Sequence, residues 1–319
     1  VLTIHHQACD AFSMPVLMKD LVDAYAIFSS DDKELDWASP EYQYSDWAAW
    51  QRESLSEKIT EKVQRAKLRL AGVSESLELP LDFSRDGARD RRAGLVPISI
   101  SPESVRMLEV LAQAQHTTLF SVLLAAYGAT LSRLANQRSV VIGSPVSGRT
   151  HAECDRIVGF LVNMLVVPLT IKAESDPLEL ISQAKANVEA ALVDQDLPFD
   201  RLVEDLGVHR SLAQTPVFQA MFSFQNMSET SLALEGLLVS PVSVHLPTVK
   251  YDLSLHLSRD NSGGITGSLE YDASLFLEGS VLFWAKVFIN SLETFMHRPR
   301  QYLLSTGMLQ GEERLSELT

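Results

Sequence analysis

The residues best suited to chemistry stand near the start of the chain, in the run His5-His6-Gln7-Ala8-Cys9-Asp10. A neutral imidazole near pH 7 can take a proton, and a nearby carboxylate can fix the local geometry. The apolar, β-branched stretch 1–6 (VLTIHH) predicts a strand ending near His6. Its ring would then project from the strand end into a cleft. Asp10 lies past the turn, where an aspartate can pair with an arginine elsewhere. A metal site built from His5, His6 and Asp10 is disfavoured, because adjacent strand residues point to opposite faces. Cys9 beside His6 has the makings of a nucleophile, but a buried, inert cysteine is the simpler reading.

A second run, Gly143-Ser-Pro-Val-Ser-Gly148-Arg149-Thr150, resembles a phosphate-binding loop. The lysine of that pattern is replaced by Arg149, and no apolar helix follows directly. Two glycines and a proline more simply make a turn that presents Arg149. No GxGxxG, GxSxG or HExxH occurs.

The elements that must hold these residues can be read from periodicity. Ser13 reads as an N-cap, followed by an apolar stripe Met14, Leu17, Met18, Leu21, Val22 and Tyr25. Residues 29–40 read as a connection, and 44–71 as one helix. The breaker-rich stretch 72–97 reads as an exposed loop or crossover; its run 85–92 holds four arginines and two aspartates. Ser101-Pro102 and Asp176-Pro177 each pair a cap with proline at the first helical position. Residues 119–134 are apolar nearly all round and predict a buried helix. SVVIGSPV, VNMLVVPLT and 218–225 predict strands, 249–271 a hairpin, and 279–296 a last helix. The expected class is α/β or α+β.

Composition narrows the setting. The 319 residues allow one large unit or two domains. Hydrophobic residues make up 46%, which excludes wholesale disorder. With 27 Lys+Arg against 41 Asp+Glu the net charge is −14, which argues against nucleic acid and anionic membrane as partners. No apolar run approaches the roughly 20 residues of a membrane helix. Two cysteines and the lack of a secretory pattern fit a reduced, cytoplasmic protein.

HHQACDAFSMPVL resembles the HHxxxDG motif of nonribosomal peptide synthetase condensation domains. Further stretches follow in the family's order: YSDWAAWQ (44–51), IVGFLVNML (157–165), DQDLPFD (194–200), RSLAQTPVFQAMFSFQN (210–226) and TVKYDLSLHL (248–257). The ending LLSTGMLQGEERLSELT resembles the linker into an adenylation domain. Three positions depart from the pattern: Ala11 stands for the usual Gly, Met164 for Thr, and Asp194 for His or Asn.

The resemblance implies a chloramphenicol-acetyltransferase-like fold of two α/β lobes with a tunnel between them. Residues 1–50 would end the N-terminal lobe, 51–97 would link the lobes, 98–302 would form the C-terminal lobe, and 303–319 would lead towards an adenylation domain. The N-terminal lobe segment that precedes the histidine motif in the family is expected as a partner of this chain. The implied activity is amide formation between a thioester on a donor carrier protein and an aminoacyl thioester on an acceptor carrier protein. His6 would lie at the centre, either taking a proton or positioning the amine. His5 would be supporting, Asp10 would pair with Arg149, and Ala11, Asn163, Ser223 and Gln225 would line the tunnel. No metal or cofactor of its own is implied, with phosphopantetheine arriving on the carriers. A silent docking module, or an epimerising, ester-forming or starter-acylating relative, is the other reading of the same motifs.

Overall fold

The structure is a computed structural model that describes residues 3–29, 40–73, 76–85, 91–207, 214–225, 234, 236–240, 242 and 246–305. Eight helices and six strands occur among the described residues. Helices α1 (Met14–Ser29), α2 (Tyr44–Ser56) and α3 (Ile59–Leu70) precede strand β1 (Ala93–Ile100). There follow α4 (Pro102–Ala114), α5 (Leu119–Ala135), β2 (Ser139–Val146), β3 (Asn163–Thr170), α6 (Pro177–Val193), α7 (Phe199–Leu206), β4 (Ala220–Gln225), β5 (Leu253–Arg259), β6 (Ile265–Asp272) and α8 (Glu278–His297).

The strands form one mixed sheet in the order β1-β6-β5-β4-β2-β3. β2, β4 and β5 run parallel, and the other pairs are antiparallel. Helix α5 is buried along almost its whole length, because its apolar surface meets the sheet on one side and α4, α6 and α8 on the others. Alternation along β4 sets Ala220 and Phe222 into this core. The opposite face of the sheet, at Val141 and Val166, is covered by Val63 and Ala66 of α3 and by Leu202 and Val203 of α7. The expected caps form: Ser101 Oγ accepts from the Ser104 N–H, and Asp176 accepts from the Glu179 N–H at 2.9 Å. Asp260 closes the β5–β6 turn by accepting from the Ser262 and Gly264 N–H groups.

Four expectations need correction. Residues 3–5 are irregular and 6–8 form a turn, not a strand: no described strand lies beside them to complete a ladder, and a lone strand leaves its backbone groups unpaired. The single helix expected over 44–71 breaks at Glu57-Lys58 into α2 and α3, which bury against different surfaces. The stretch 72–97 is not all loop, since β1 begins at Ala93 and forms the sheet edge. Pro97 is tolerated there as an edge residue, and Gly94 makes room for the Tyr271 ring. Arg85 in the charged run is tied to Asp252 at 2.6 Å, while 86–90 lie outside the described residues. Ser13 does not cap α1; its side chain turns inward to Asp10 and Gly159. Of the connection expected over 29–40, residues 30–39 lie outside the described residues, as do residues 306–319 of the linker expected over 303–319. Among the described residues no single helix is long and apolar enough to cross a membrane.

Candidate active site

The turn carrying the histidines is pinned to the segment between β2 and β3 through Asp10, which is only 2% exposed. Arg149 donates to it through both terminal nitrogens, Nη1 to Oδ2 at 2.9 Å and Nη2 to Oδ1 at 3.0 Å. The Ser13 N–H and Oγ donate to Oδ1, each at 2.8 Å. The Leu161 and Val162 N–H groups donate to Oδ2 at 3.0 and 3.1 Å. Burial alone would push the Asp10 carboxyl up. Hydrogen bonds from Arg149, Ser13 and Leu161 outweigh it and hold the carboxyl below the usual carboxylate range.

Arg149 is held in turn by the Ile157 carbonyl at 3.0 Å and lies over the Phe12 ring at 5.7 Å. The turn that presents it needs Gly148. That residue has φ +66°, and a Cβ there would sit 1.9 Å from the Leu161 carbonyl oxygen. The phosphate-loop likeness of 143–150 thus resolves into an arginine committed to Asp10.

His5 and His6 are set in opposite states. His6 Nδ1 lies 2.9 Å from the Cys9 carbonyl oxygen. A carbonyl only accepts, so Nδ1 carries the proton and neutral His6 keeps its lone pair on Nε2. The Gln7 N–H donates to His5 Nδ1 at 3.2 Å, which leaves neutral His5 with its proton on Nε2. Of the two, His6 is the one whose Nε2 is left as the acceptor. Its ring meets Phe160 edge to face, with centroids 5.0 Å apart. Cys9 is buried, with its Sγ directed at the Asp10 carbonyl and the Met14 sulfur.

The other tunnel candidates separate. Ala11 is exposed on the turn and is not among the residues with positive φ, so this backbone accommodates alanine without strain. Asn163 is used by the chain itself: Nδ2 donates to the carbonyls of Gln195 and Leu197, and Oδ1 accepts from the Phe199 N–H. It clamps the loop before α7. Ser223 and Gln225 lie on β4, which β2 separates from β3, and two strand spacings amount to about 10 Å. They do not join the Asp10 cluster. Asp194, the departure from the usual His or Asn, is 5% exposed and accepts from Arg65 Nε and Nη2 at 3.2 and 2.5 Å, with Lys62 at 3.6 Å.

Sequence reasoning did not foresee Phe160 beside His6, the inward turn of Ser13, or the way two motifs meet. Tyr44 of YSDWAAWQ packs its ring on Gly159 of IVGFLVNML, where a Cβ would lie 2.3 Å from the ring. Trp47 packs on Cys154, Ile157 and Leu161. The motifs were visible in sequence, but a contact spanning more than a hundred residues leaves no local signal.

A mixed sheet backed by long helices, with a histidine turn pinned at its β2–β3 end, fits the chloramphenicol-acetyltransferase-like class expected from the motifs. Within that class, a family model described as the condensation domain matches residues 1–316, and the chain belongs to this family. It is 35% identical over 278 residues to malpinin synthetase of Mortierella alpina, covering 86% of this chain and 4% of that protein. It is 32% identical over 330 aligned positions to the dimodular nonribosomal peptide synthase of Bacillus subtilis (strain 168), covering 100% of this chain and 14% of that one. The chain therefore spans only a small part of these relatives. Among solved structures, the X-domain from teicoplanin biosynthesis superposes with a TM-score of 0.88 at 23% identity, covering 96% of this chain and 71% of that one. A four-domain nonribosomal peptide synthetase bound to AMP and glycine gives 0.86 at 20%, covering 98% and 24%.

Proposed function

We propose that this chain catalyses amide formation between two carrier-bound thioesters in nonribosomal peptide synthesis. The observation that carries the reading is the 2.9 Å contact of His6 Nδ1 with the Cys9 carbonyl, which assigns the lone pair of the neutral ring to Nε2, on a turn whose Asp10 socket is complete. In this reading the acceptor amine nitrogen attacks the donor carbonyl carbon. The C–N bond forms, the C–S bond breaks, and sulfur leaves as a thiol with the proton the amine gives up. Nε2 accepts a hydrogen bond from that amine, aims its lone pair and relays the proton. Asp10 and Arg149 touch no reacting atom; they hold the turn.

Positioning supplies the larger share. Tethering two reactants can lower a barrier by roughly 7–11 kcal/mol, whereas one proton-transfer group contributes about 10²–10⁴-fold. The partners are a donor carrier, an acceptor carrier and a neighbouring adenylation domain, in the cytoplasm. Phosphopantetheine enters as the tether of each substrate. Ala11, Ser223 and Gln225 serve as tunnel wall, and Asn163 holds that wall in place.

The fold alone does not choose between catalysis and recruitment, because the teicoplanin X-domain with the same fold is solved in a complex with OxyB. The intact His6, Asp10 and Arg149 favour catalysis. The test loads a donor and an acceptor carrier and weighs both by mass spectrometry after incubation with the intact protein that carries this chain. Transfer of the acyl group to the acceptor carrier is expected. No transfer, with carrier binding retained, would favour recruitment.

A further inference from the structure

A cleft of about 350 Å³ that the peptide-forming chemistry does not use lies between α2 and the short helical turn Ala152–Cys154. Four of its lining side chains are rings: Tyr42, Trp47, Trp50 and His151. Trp47 forms the floor, buried against Cys154 and Ile157. Trp50 stands edge-on to His151, with centroids 4.9 Å apart at 90°, which fixes two walls relative to each other. Tyr42 and Trp50 nonetheless remain 43% and 41% exposed. Among the described residues the charged members of the lining are Asp46 and Glu153, with no lysine or arginine. Asp46 accepts from the Gln43 N–H at 2.8 Å and so stays fixed, while Glu153 is exposed.

Aromatic faces attract a cation that lies within about 6 Å, tryptophan most strongly. Carboxylates beside them add to that attraction and repel anions. We propose that this cleft binds the side chain of an arginine presented by a protein partner. A guanidinium is planar, weakly hydrated and stacks on aromatic rings, which an ammonium does less well. A protein is the fitting source because the net charge of −14 draws basic surfaces towards this chain. The cleft is also joined to the catalytic turn. The Ile157 side chain lines it, while the Ile157 carbonyl accepts from Arg149. An arginine seated there bears on the segment that holds Arg149 and Asp10.

The test is saturation-transfer NMR on the intact protein with three acetylated, amidated tripeptides, Gly-Arg-Gly, Gly-citrulline-Gly and Gly-norleucine-Gly. The arginine peptide is expected to bind about fivefold tighter than its uncharged citrulline counterpart, the scale of one exposed cation–π contact. Trp50→Leu and Glu153→Gln should each erase most of that preference, and Trp50→Phe, which keeps a ring face, should retain it. Equal binding of the citrulline or norleucine peptide would overturn the proposal and leave an apolar pocket. So would a preference that survives both Trp50→Leu and Glu153→Gln. Because the readout is binding, it stands apart from the success or failure of the peptide-forming assay.

Discussion

Asp10 accepts six hydrogen bonds in a socket almost closed to water. Removing one partner of a buried ion pair leaves the other charge uncompensated, at about 3–5 kcal/mol. Asp10→Asn should therefore lower the melting temperature by roughly 5–10 °C at pH 7, read by calorimetry. The pH dependence has a definite sign. The folded carboxyl titrates below its unfolded value, near 3.8. Its stabilisation is thus fully present above that value and is lost as pH falls through the lower folded one. The gap between wild type and Asp10→Asn should hold from pH 7 to about 5 and narrow below about 4. A gap that widens on acidification would contradict the assignment. Gly148→Ala meets two penalties, a left-handed backbone costing about 1–2 kcal/mol and a collision with the Leu161 carbonyl. It should displace Leu161 from Asp10 and cost both activity and melting temperature. At this scale the sequence was informative for the pairing of Asp10 with Arg149, which the structure places in contact. It was silent on Ser13, whose place before an apolar stripe is also that of a cap. It was silent too on the partners of Asn163, whose amide serves a loop more than thirty residues away.

Helix α3 hangs on the sheet by two kinds of contact. Val63 and Ala66 pack on α7 and the strands, while Lys62, Arg65 and Arg69 converge on Asp194 at the end of α6. Lys62 also pairs with Asp196 at 2.7 Å. Asp194→Asn strips a buried partner from three cations, whereas Lys62→Met leaves Asp194 with Arg65. The first should cost several times more stability than the second, and hydrogen exchange should rise first in α3. Equal effects would show that apolar packing alone holds the helix. The helices and strands of the second half were legible because caps, alternation and an all-round apolar helix each point to one element. The first half was less so. No glycine or proline marks the break at 57–58; it arises because α2 turns to the 151–161 segment and α3 to the sheet. Strand β1 was hidden by Gly94 and Pro97, which serve an edge strand here.

Across the described residues, α1 is the most exposed of the long helices: it is apolar, yet none of its residues is buried, and Met14, Leu21 and Phe28 are exposed, as is Phe12. Such a patch asks for a cover. A polypeptide of these 319 residues alone should self-associate in light scattering, and Leu21→Glu with Phe28→Glu should suppress it. On the proposed function, a net charge of −14 leaves carrier docking to a few local lysines and arginines, so reversing single exposed basic residues should slow association. What the sequence conveyed at this scale came from ordered motifs spread along the chain. What it could not convey is which motifs touch, as Tyr44 and Gly159 do. The most direct test of the account is single-turnover transfer between loaded donor and acceptor carriers in the intact protein, comparing wild type, His5→Ala and His6→Ala. His6→Ala is expected to slow transfer by about 10²-fold or more, while His5→Ala stays within about tenfold, which is 1.4 kcal/mol of barrier. Near-normal transfer by His6→Ala, with carriers bound and the fold intact, would contradict the central role of the His6 Nε2 lone pair.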